Sequence, residues 1–152
     1  MKPRKAVRVV LLDTQEQVAI VHAQNHNYYK VPGGGIEADE TPLIAAVRET
    51  KEETGCNCRI IAELGNSETP IPGWGMLDIS QGFLARVVGE KQTPQFDDYE
   101  QARNLTVKWF PSLDNAIATI EAHTNITDPN AAILQARDLS YLKLAAAYLA
   151  EH

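Results

Sequence analysis

The chain has 152 residues, 44% of them hydrophobic and 22% charged, a composition typical of a globular protein that predicts a single domain over residues 1–152. Its formal net charge is −6, so it lacks the basic footprint of a DNA or RNA binder, and we expect no nucleic-acid partner. An anionic small-molecule substrate stays compatible with this charge, because a bound divalent cation would invert the local field.

The N-terminal segment and the cysteines bear on the cellular compartment. Arg8 interrupts the first apolar run and Asp13 ends it, which is not typical of a signal peptide. No window contains the roughly 18 apolar residues of a membrane-spanning helix. The two cysteines, Cys56 and Cys58, have no His or Cys cluster beside them and do not make a zinc site. We therefore expect reduced thiols in a cytoplasmic protein that contacts no membrane.

The first half of the chain alternates apolar runs with turn-like segments. The β-branched runs 6–12 and 17–22 flank a short polar turn and predict a β-hairpin. A further strand is expected over 58–64, followed by a Gly/Pro-rich loop over 65–75, long enough to serve a function. Residues 76–89 predict another strand of the main sheet.

The second half of the chain ends in helical patterns. Residues 90–104 are polar and acidic and predict a loop, and residues 105–110 return to strand. Ser112 is a suitable N-cap for one helix, and Asp128 precedes a second helix that extends to about Ala150. Strands followed by helices in this order predict an α/β fold, with a mixed sheet covered by helices on both faces.

A helix after the three glycines at 33–35 is marked by its end signals. Thr41 is a good N-cap, Pro42 suits the first helical position, and Gly55 stands just past the end. At about 100° per residue, three apolar residues fall on one side, which is therefore expected to face the core. They are Leu43, Ile44 and Val47.

The opposite side of this helix carries three carboxylates, Glu49, Glu52 and Glu53. Like charges at i and i+4 repel, and the helix dipole disfavours anions in the last turns. A solvated face neutralised by Arg48 and Lys51 is one interpretation. A functional site is the other, since local rules are often broken at such sites, and a divalent cation such as Mg²⁺ would compensate the charges. The glycines would let backbone carbonyls approach the same ion.

This stretch resembles the Nudix box, G-x5-E-x7-R-E-U-x-E-E-x-G-U, in which U is a bulky aliphatic residue. All seven fixed letters are matched at the required spacing, by Gly34, Glu40, Arg48, Glu49, Glu52, Glu53 and Gly55. The two U positions hold Thr50 and Cys56. The departure at Thr50 bears on core packing more than on chemistry.

The resemblance implies the Nudix-type α/β/α sandwich with a mixed β-sheet between helices. It also implies a metal-dependent pyrophosphohydrolase that cleaves a nucleoside diphosphate linked to another moiety, by attack of water on phosphorus, with Mg²⁺ or Mn²⁺ as cofactor. Many members of the family form homodimers, so a homodimer is a candidate assembly. A nucleotide-binding or sensing module without turnover is the alternative, although such modules usually lose box glutamates and none is lost here.

The resemblance also assigns roles to residues of the box. Glu49 and Glu53 are the expected principal metal ligands, and Glu52 is either a third ligand or the base for the attacking water. The carbonyl of Gly33 or Gly34 is a candidate extra ligand. Arg48 would orient the glutamates by pairing with Glu40. The expected catalytic residues are Glu52, Arg48 and Glu53, and the expected metal ligands are Glu49, Glu53, Glu52 and Gly33.

Residues outside the box are less constrained. Four acidic side chains compete as an additional ligand or base, namely Glu100, Asp97, Asp98 and Asp78. Three aromatic residues are candidates to stack on a base, although aromatic residues near a cleft more often serve packing. They are Tyr28, Tyr29 and Trp74.

Overall fold

The computed structural model describes residues 1–152, in which seven strands and four α-helices follow one another. The strands are β1 (Lys2–Leu12), β2 (Val18–Ala23), β3 (Tyr28–Lys30), β4 (Gly33–Gly35), β5 (Asn57–Ile71), β6 (Met76–Val88) and β7 (Leu105–Phe110). The helices are α1 (Pro42–Thr54), α2 (Asp98–Ala102), α3 (Leu113–Ala122) and α4 (Pro129–Glu151). None of these helices combines the length and the apolar composition that crossing a membrane requires.

One mixed sheet organises the molecule, with β1 at its centre. The strand order is β3-β2-β1-β6-β5, and β4 and β7 pair with β1 and β2. Strand β1 runs parallel to β6 along its whole length and antiparallel to β2 and β4. The predicted mixed sheet is therefore confirmed, and so is the hairpin between the first two strands.

Successive residues of β1 face opposite sides of the sheet, as a strand requires. Val7, Val9 and Leu11 pack in a cluster with Ala45 and Ala46 of α1. On the other side of the strand, Val10 and Leu12 join the cluster that contains buried residues of α3 and α4, such as Leu113 and Leu142. Helices thus cover both faces, which confirms the predicted α/β/α layering.

The predicted loop over 65–75 is wrong, because β5 continues to Ile71. Strand β5 pairs antiparallel with β6 from Asn57↔Val88 to Ile71↔Met76, with register shifts near Ala62 and Gly65. These irregularities increase twist and let the long hairpin bend. Because β5 lies at the edge of the sheet, Pro70 is tolerated within it. Only a short 3₁₀ turn, Pro72–Trp74, remains of the loop.

Helix α1 has the predicted ends, but its predicted orientation is wrong. Thr41 Oγ1 accepts from the Ile44 N–H at 3.2 Å, and Gly55 adopts a left-handed conformation with φ of 75°. Three residues expected in the core are instead 50%, 56% and 38% exposed, namely Leu43, Ile44 and Val47.

The buried face of α1 carries small residues and two of the glutamates. Ala45, Ala46 and Thr50 are fully buried there, beside Glu49 and Glu53. Their small side chains let the helix lie close to the sheet, and both carboxylates contact cationic side chains in the structure. Cationic partners, which are Lys30 of β3 for Glu53 and Arg48 of the same helix for Glu49, therefore override the apolar pattern of the helix.

Helix α2 lies within residues 90–104, where only a loop was predicted. Its start is a capping box: Asp97 Oδ1 accepts from the Glu100 N–H at 2.8 Å, and Glu100 Oε1 accepts from the Asp97 N–H at 3.0 Å. A five-residue helix is too short to show apolar periodicity. The predicted helices α3 and α4 are confirmed with their caps, Ser112 and Asp128. Both cysteines are free thiols.

Candidate active site

A cleft of about 480 Å³ opens beside the glycines of β4. Its walls come from β1, the β5–β6 turn, α1, α2 and α4. Carboxylates and guanidinium groups both line it, together with Gly33, Gly34 and Gly35. The sheet thus brings the glutamates of α1 into one cavity with residues from distant parts of the chain.

Three carboxylates meet in this cleft. Oxygen atoms of Glu49, Glu53 and Glu100 all lie within 4.8 Å of one another. One helical turn separates Glu49 from Glu53 on α1, and α2 supplies Glu100. Their residues are only 8%, 1% and 9% exposed. Such a group of buried carboxylates is a set of hard oxygen donors that could hold a metal ion.

Glu53 is fixed by contacts to the segment before the box. The Lys30 ammonium donates to both of its carboxylate oxygens, at 2.8 and 3.1 Å, and the Gly33 N–H donates to Oε1 at 2.9 Å. Burial alone would raise the pKa of Glu53, but the charge of Lys30 and these hydrogen bonds hold it below its ordinary value. These contacts therefore favour the ionised form of Glu53.

The other two members of the group hold protons more strongly. Burial, followed by the charge of Glu53, raises the pKa of Glu49 to about 6. Burial, followed by a hydrogen bond to Glu53 and by its charge, raises the pKa of Glu100 to about 9. The positive charges of Lys30 and Arg48 thus do not offset the effects that raise the pKa of Glu49 and Glu100.

Arg48 connects the helix to the glycine segment. Its guanidinium donates to both carboxylate oxygens of Glu40, at 2.6 and 2.8 Å, and to the carbonyl of Gly35 at 3.0 Å. Arg48 Nη1 also donates to Glu49 Oε1 at 3.0 Å and lies 3.4 Å from Glu52 Oε2. Arg48 therefore sets the position of Glu49 relative to the backbone of β4.

The predicted site residues do not all lie at the same depth. Glu49 and Glu53 line the cleft, and the carbonyl of Gly33 lies 3.4 Å from Lys30 Nζ, which places it beside Glu53. The Glu52 side chain is 36% exposed and lies outside the group of three carboxylates, in contact with Arg48. Glu52 is therefore a neighbour of the group at its solvent side.

Two glycines are required by close approach. A Cβ atom on Gly34 would lie 2.5 Å from Glu49 Oε1, and one on Gly33 would lie 2.1 Å from the carbonyl oxygen of Val7. Both distances are far below van der Waals contact. The glycine segment can lie against the carboxylates and the central strand only because it has no side chains there.

Among the four acidic residues named outside the box, Glu100 alone joins the carboxylate group. Asp97 caps α2, and Asp98 is exposed. Asp78 is 1% exposed and lies 3.2 Å from Arg8 Nη2 and 3.4 Å from Arg137 Nη1. Asp97 followed three residues later by Glu100 is a helix-capping pattern that could have predicted α2. That pattern does not reveal where the helix packs.

A buried ion-pair network at the floor of the cleft was not predicted from the sequence. Arg137 Nε pairs with Asp138 Oδ1 at 2.8 Å, and both guanidinium groups of Arg8 and Arg137 contact Asp78. Asp138 Oδ2 also accepts from the Val31 N–H at 3.0 Å, which ties α4 to the segment that precedes the glycines. Lys30 was also missed, since no local pattern marks a lysine two residues before a Pro-Gly turn as the partner of a helix carboxylate.

The three candidate aromatic residues take different places. Tyr28 is fully buried at the wall of the cleft, and Trp74 is 42% exposed at its edge. Tyr29 does not line the cleft: its ring stacks on His22, with centroids 4.7 Å apart. Only Trp74 therefore offers an open aromatic surface among these three.

Comparison with known proteins agrees with this fold. A solved structure described as a NUDIX hydrolase from Nitrosomonas europaea superposes with a TM-score of 0.72 over 96% of this chain and 90% of that chain. The two sequences are 20% identical, so this similarity establishes the fold and no finer property.

The family model of the NUDIX domain matches residues 2–128. The chain therefore belongs to the Nudix hydrolase family, and the family predicted from the box is confirmed.

Curated relatives match over shorter stretches. An RNA pyrophosphohydrolase from Gluconobacter oxydans (strain 621H) is 34% identical over 83 residues, which cover 54% of this chain and 39% of that protein. An 8-oxo-(d)GTP phosphatase from Mycolicibacterium smegmatis (strain ATCC 700084 / mc(2)155) is 36% identical over 56 residues, 37% of this chain and 17% of that protein. The chain thus matches less than half the length of either relative.

Proposed function

We propose that the chain is a metal-dependent pyrophosphohydrolase that cleaves a nucleoside diphosphate linked to another moiety. The observation that carries this proposal is the convergence of Glu49, Glu53 and Glu100 in one cleft with a single ammonium group, that of Lys30. Names of the relatives that refer to phosphatase and pyrophosphohydrolase activities support the same reaction type.

The residues fit a divalent cation. The donors are carboxylate oxygens and the nearby Gly33 carbonyl, which suit Mg²⁺ or Mn²⁺ and not a soft metal. Burial, followed by repulsion from Glu53, raises the pKa of Glu49 to about 6, and burial, followed by a hydrogen bond to Glu53 and by its charge, raises that of Glu100 to about 9, and a cation bound among the carboxylates would offset both effects. Glu49, Glu53 and Glu100 would hold the ion, and Glu52 stands beside them as an additional ligand or as the base.

A divalent cation supplies positive charge to the diphosphate oxygens and acidifies water. Lys30 and the Gly33 N–H keep Glu53 ionised and fixed, while Arg48 holds Glu49 against the glycine segment. Water attacks one phosphorus, its proton passes to a carboxylate such as Glu52, and the bond from that phosphorus to the bridging oxygen breaks. A group that ends in phosphate leaves, and no covalent bond to the protein is formed.

The substrate class is tested with a panel of purified compounds. We expect release of phosphate or nucleoside monophosphate from at least one member of a set of nucleoside triphosphates, nucleotide sugars, ADP-ribose, dinucleoside polyphosphates and an RNA with a 5′-triphosphate. Turnover should require Mg²⁺ or Mn²⁺ and stop with EDTA. Tight nucleotide binding without turnover of any compound would support instead a binding or sensing module.

Metal affinity should depend on pH through the carboxylate group. Because Glu100 has a pKa of about 9 and Glu49 a pKa of about 6, an ion must displace one proton between these values and two below pH 6. We expect the Mn²⁺ association constant to rise about tenfold per pH unit from pH 6.5 to 8.5, and more steeply below pH 6. Isothermal titration calorimetry in several buffers measures the affinity and the protons released. An affinity independent of pH would contradict this assignment.

A further inference from the structure

The cleft has a second wall, formed by Trp74, Tyr99 and Arg103, that the chemistry of the carboxylates does not use. The Arg103 guanidinium carbon lies 5.9 Å from the ring centroid of Trp74 and 5.3 Å from that of Tyr99. These two rings are 42% and 63% exposed, although they belong to large aromatic side chains. We call these three residues the aromatic wall.

Arg103 differs in its partners from Arg8 and Arg137, the two buried guanidinium groups that line the cleft. Arg8 and Arg137 each pair with a buried carboxylate. Arg103 instead donates to the phenol oxygens of Tyr99, at 3.3 Å, and Tyr28, and no carboxylate lies within ion-pair distance of it. Its charge and most of its N–H groups are left for a ligand, and its plane is held among aromatic rings.

The aromatic wall is tied to the carboxylate group by one short segment. Tyr99 and Arg103 are one helical turn apart, and Glu100 lies between them in sequence. The segment therefore directs Glu100 to the carboxylate group while Tyr99 and Arg103 form the wall. The carboxylate group and the aromatic wall line the same cleft of about 480 Å³, so one small molecule can contact both.

Trp74 stands on a turn that is packed against the body of the protein. The turn Pro72–Trp74 joins β5 to β6, and a Cβ atom on Gly73 would lie 2.5 Å from Asn130 Oδ1 of α4. Tyr28, which is fully buried, supports Arg103 from the other side. The aromatic wall is thus formed before any ligand binds. Its exposed rings differ in this from aromatic side chains of the core, which are buried.

We propose that the aromatic wall binds the nucleobase of the substrate by stacking, so that Trp74 and Arg103 determine specificity for nucleoside-containing substrates. A flat π system stacks on aromatic rings and on a guanidinium plane, and it does so for any base. This inference rests on the proposed function only for the phosphate end of the ligand. A diphosphate compound without a base would gain nothing from the wall.

Binding is tested without catalysis, by tryptophan fluorescence in EDTA. Trp74 lines the cleft, whereas Trp109 does not and lies under Lys91 Nζ, 3.5 Å from the ring centroid. We expect AMP, GMP, CMP and UMP to quench the emission and ribose 5-phosphate, which has no base, to leave it unchanged. Quenching should persist in Trp109→Phe and vanish in Trp74→Leu.

The kinetic arm uses the best nucleotide of the substrate panel. Trp74→Leu should raise KM about tenfold and leave kcat within about twofold, because a stacking contact far from the reacting bond acts equally on ground and transition states. Trp74→Phe keeps a ring, so its KM should lie close to that of the unmodified protein. Arg103→Lys keeps the charge but not the guanidinium plane, so its KM should be raised.

The two arms separate this inference from the proposed function. Quenching by all four monophosphates in a protein that hydrolyses nothing would support the wall and contradict the pyrophosphohydrolase. Turnover with an unchanged KM in Trp74→Leu, and no difference between monophosphates and ribose 5-phosphate in quenching, would overturn the wall and leave the hydrolase intact.

Discussion

Glu53→Gln is expected to lower kcat for diphosphate hydrolysis by at least about a hundredfold. Glu53 is the ionised centre of the carboxylate group, held by Lys30 and by the Gly33 N–H. Glutamine keeps one acceptor oxygen for Lys30 and the Gly33 N–H, but it loses the second hydrogen bond from Lys30 and has no charge to offer a cation. A cation in such a site contributes several kcal/mol to the transition state. The measurement is steady-state phosphate release with saturating Mg²⁺ or Mn²⁺.

The control for this prediction is Glu121→Gln. Glu121 is about half exposed and pairs with Lys143 at 2.8 Å on the surface, away from the cleft, so this variant should keep the activity of the unmodified protein. Thermal unfolding of both variants by circular dichroism ensures that rates are compared below their melting temperatures. Retention of more than half of the activity by Glu53→Gln would contradict the assigned role.

Lys30→Met is expected to destabilise the protein by about 3–5 kcal/mol, the usual effect of removing one partner of a buried ion pair. Lys30 and Glu53 have side chains only 9% and 1% exposed, so solvent cannot replace the lost ammonium. At about 2–4 °C per kcal/mol for a chain of this size, Tm should fall by roughly 10 °C. Lys143→Met, which removes a surface pair, should change Tm by no more than about 2 °C.

Two further measurements on Lys30→Met separate charge from packing. In the unmodified protein the pKa of Glu53 is lowered, so the pair stabilises the fold at neutral pH and this contribution is lost as pH falls through that pKa. The Tm difference between the two proteins should therefore shrink toward acid pH. Mn²⁺ should raise Tm of the variant more than that of the unmodified protein, because the ion would supply the missing positive charge. A Tm difference that is constant with pH and metal would indicate a packing effect alone.

The local parts of the site could be predicted from the sequence. Spacing along one helix fixes which residues are neighbours, so Arg48, Glu49, Glu52 and Glu53 had to lie close together. The N-cap Thr41 and the terminal Gly55 similarly fix where that helix begins and ends, and both are as predicted. Such features depend on a few bonds of the same segment.

The long-range parts could not be predicted in this way. Lys30 and Glu100 reach Glu53 from 23 residues before it and 47 residues after it, through the pairing of β3 and the packing of α2. The buried face of α1 was predicted wrongly for a related reason. Its own pattern favoured Leu43, Ile44 and Val47, but the available cationic partners and the close approach of the sheet placed the alanines and the carboxylates inside. The sequence of one helix does not by itself contain information about the elements that pack against it.

The long β5–β6 hairpin is another case. Gly65 and Pro70 read locally as turn residues, yet pairing with β6 and an edge position accommodate both within a strand. The consequence for the site is direct, since this hairpin carries Trp74 to the mouth of the cleft. Pairing with β6 thus turns most of the predicted loop into a strand, but Trp74 still lies at the cleft, where it can contact a ligand.

The most direct test of the account is the binding of Mn²⁺ to the purified protein without nucleotide, followed by electron paramagnetic resonance. We expect the unmodified protein to bind at least one ion, and the double variant Glu49→Gln/Glu100→Gln to bind that ion at least about a hundredfold more weakly. Equal Mn²⁺ binding by the two folded proteins would contradict the central claim that these buried carboxylates hold the metal.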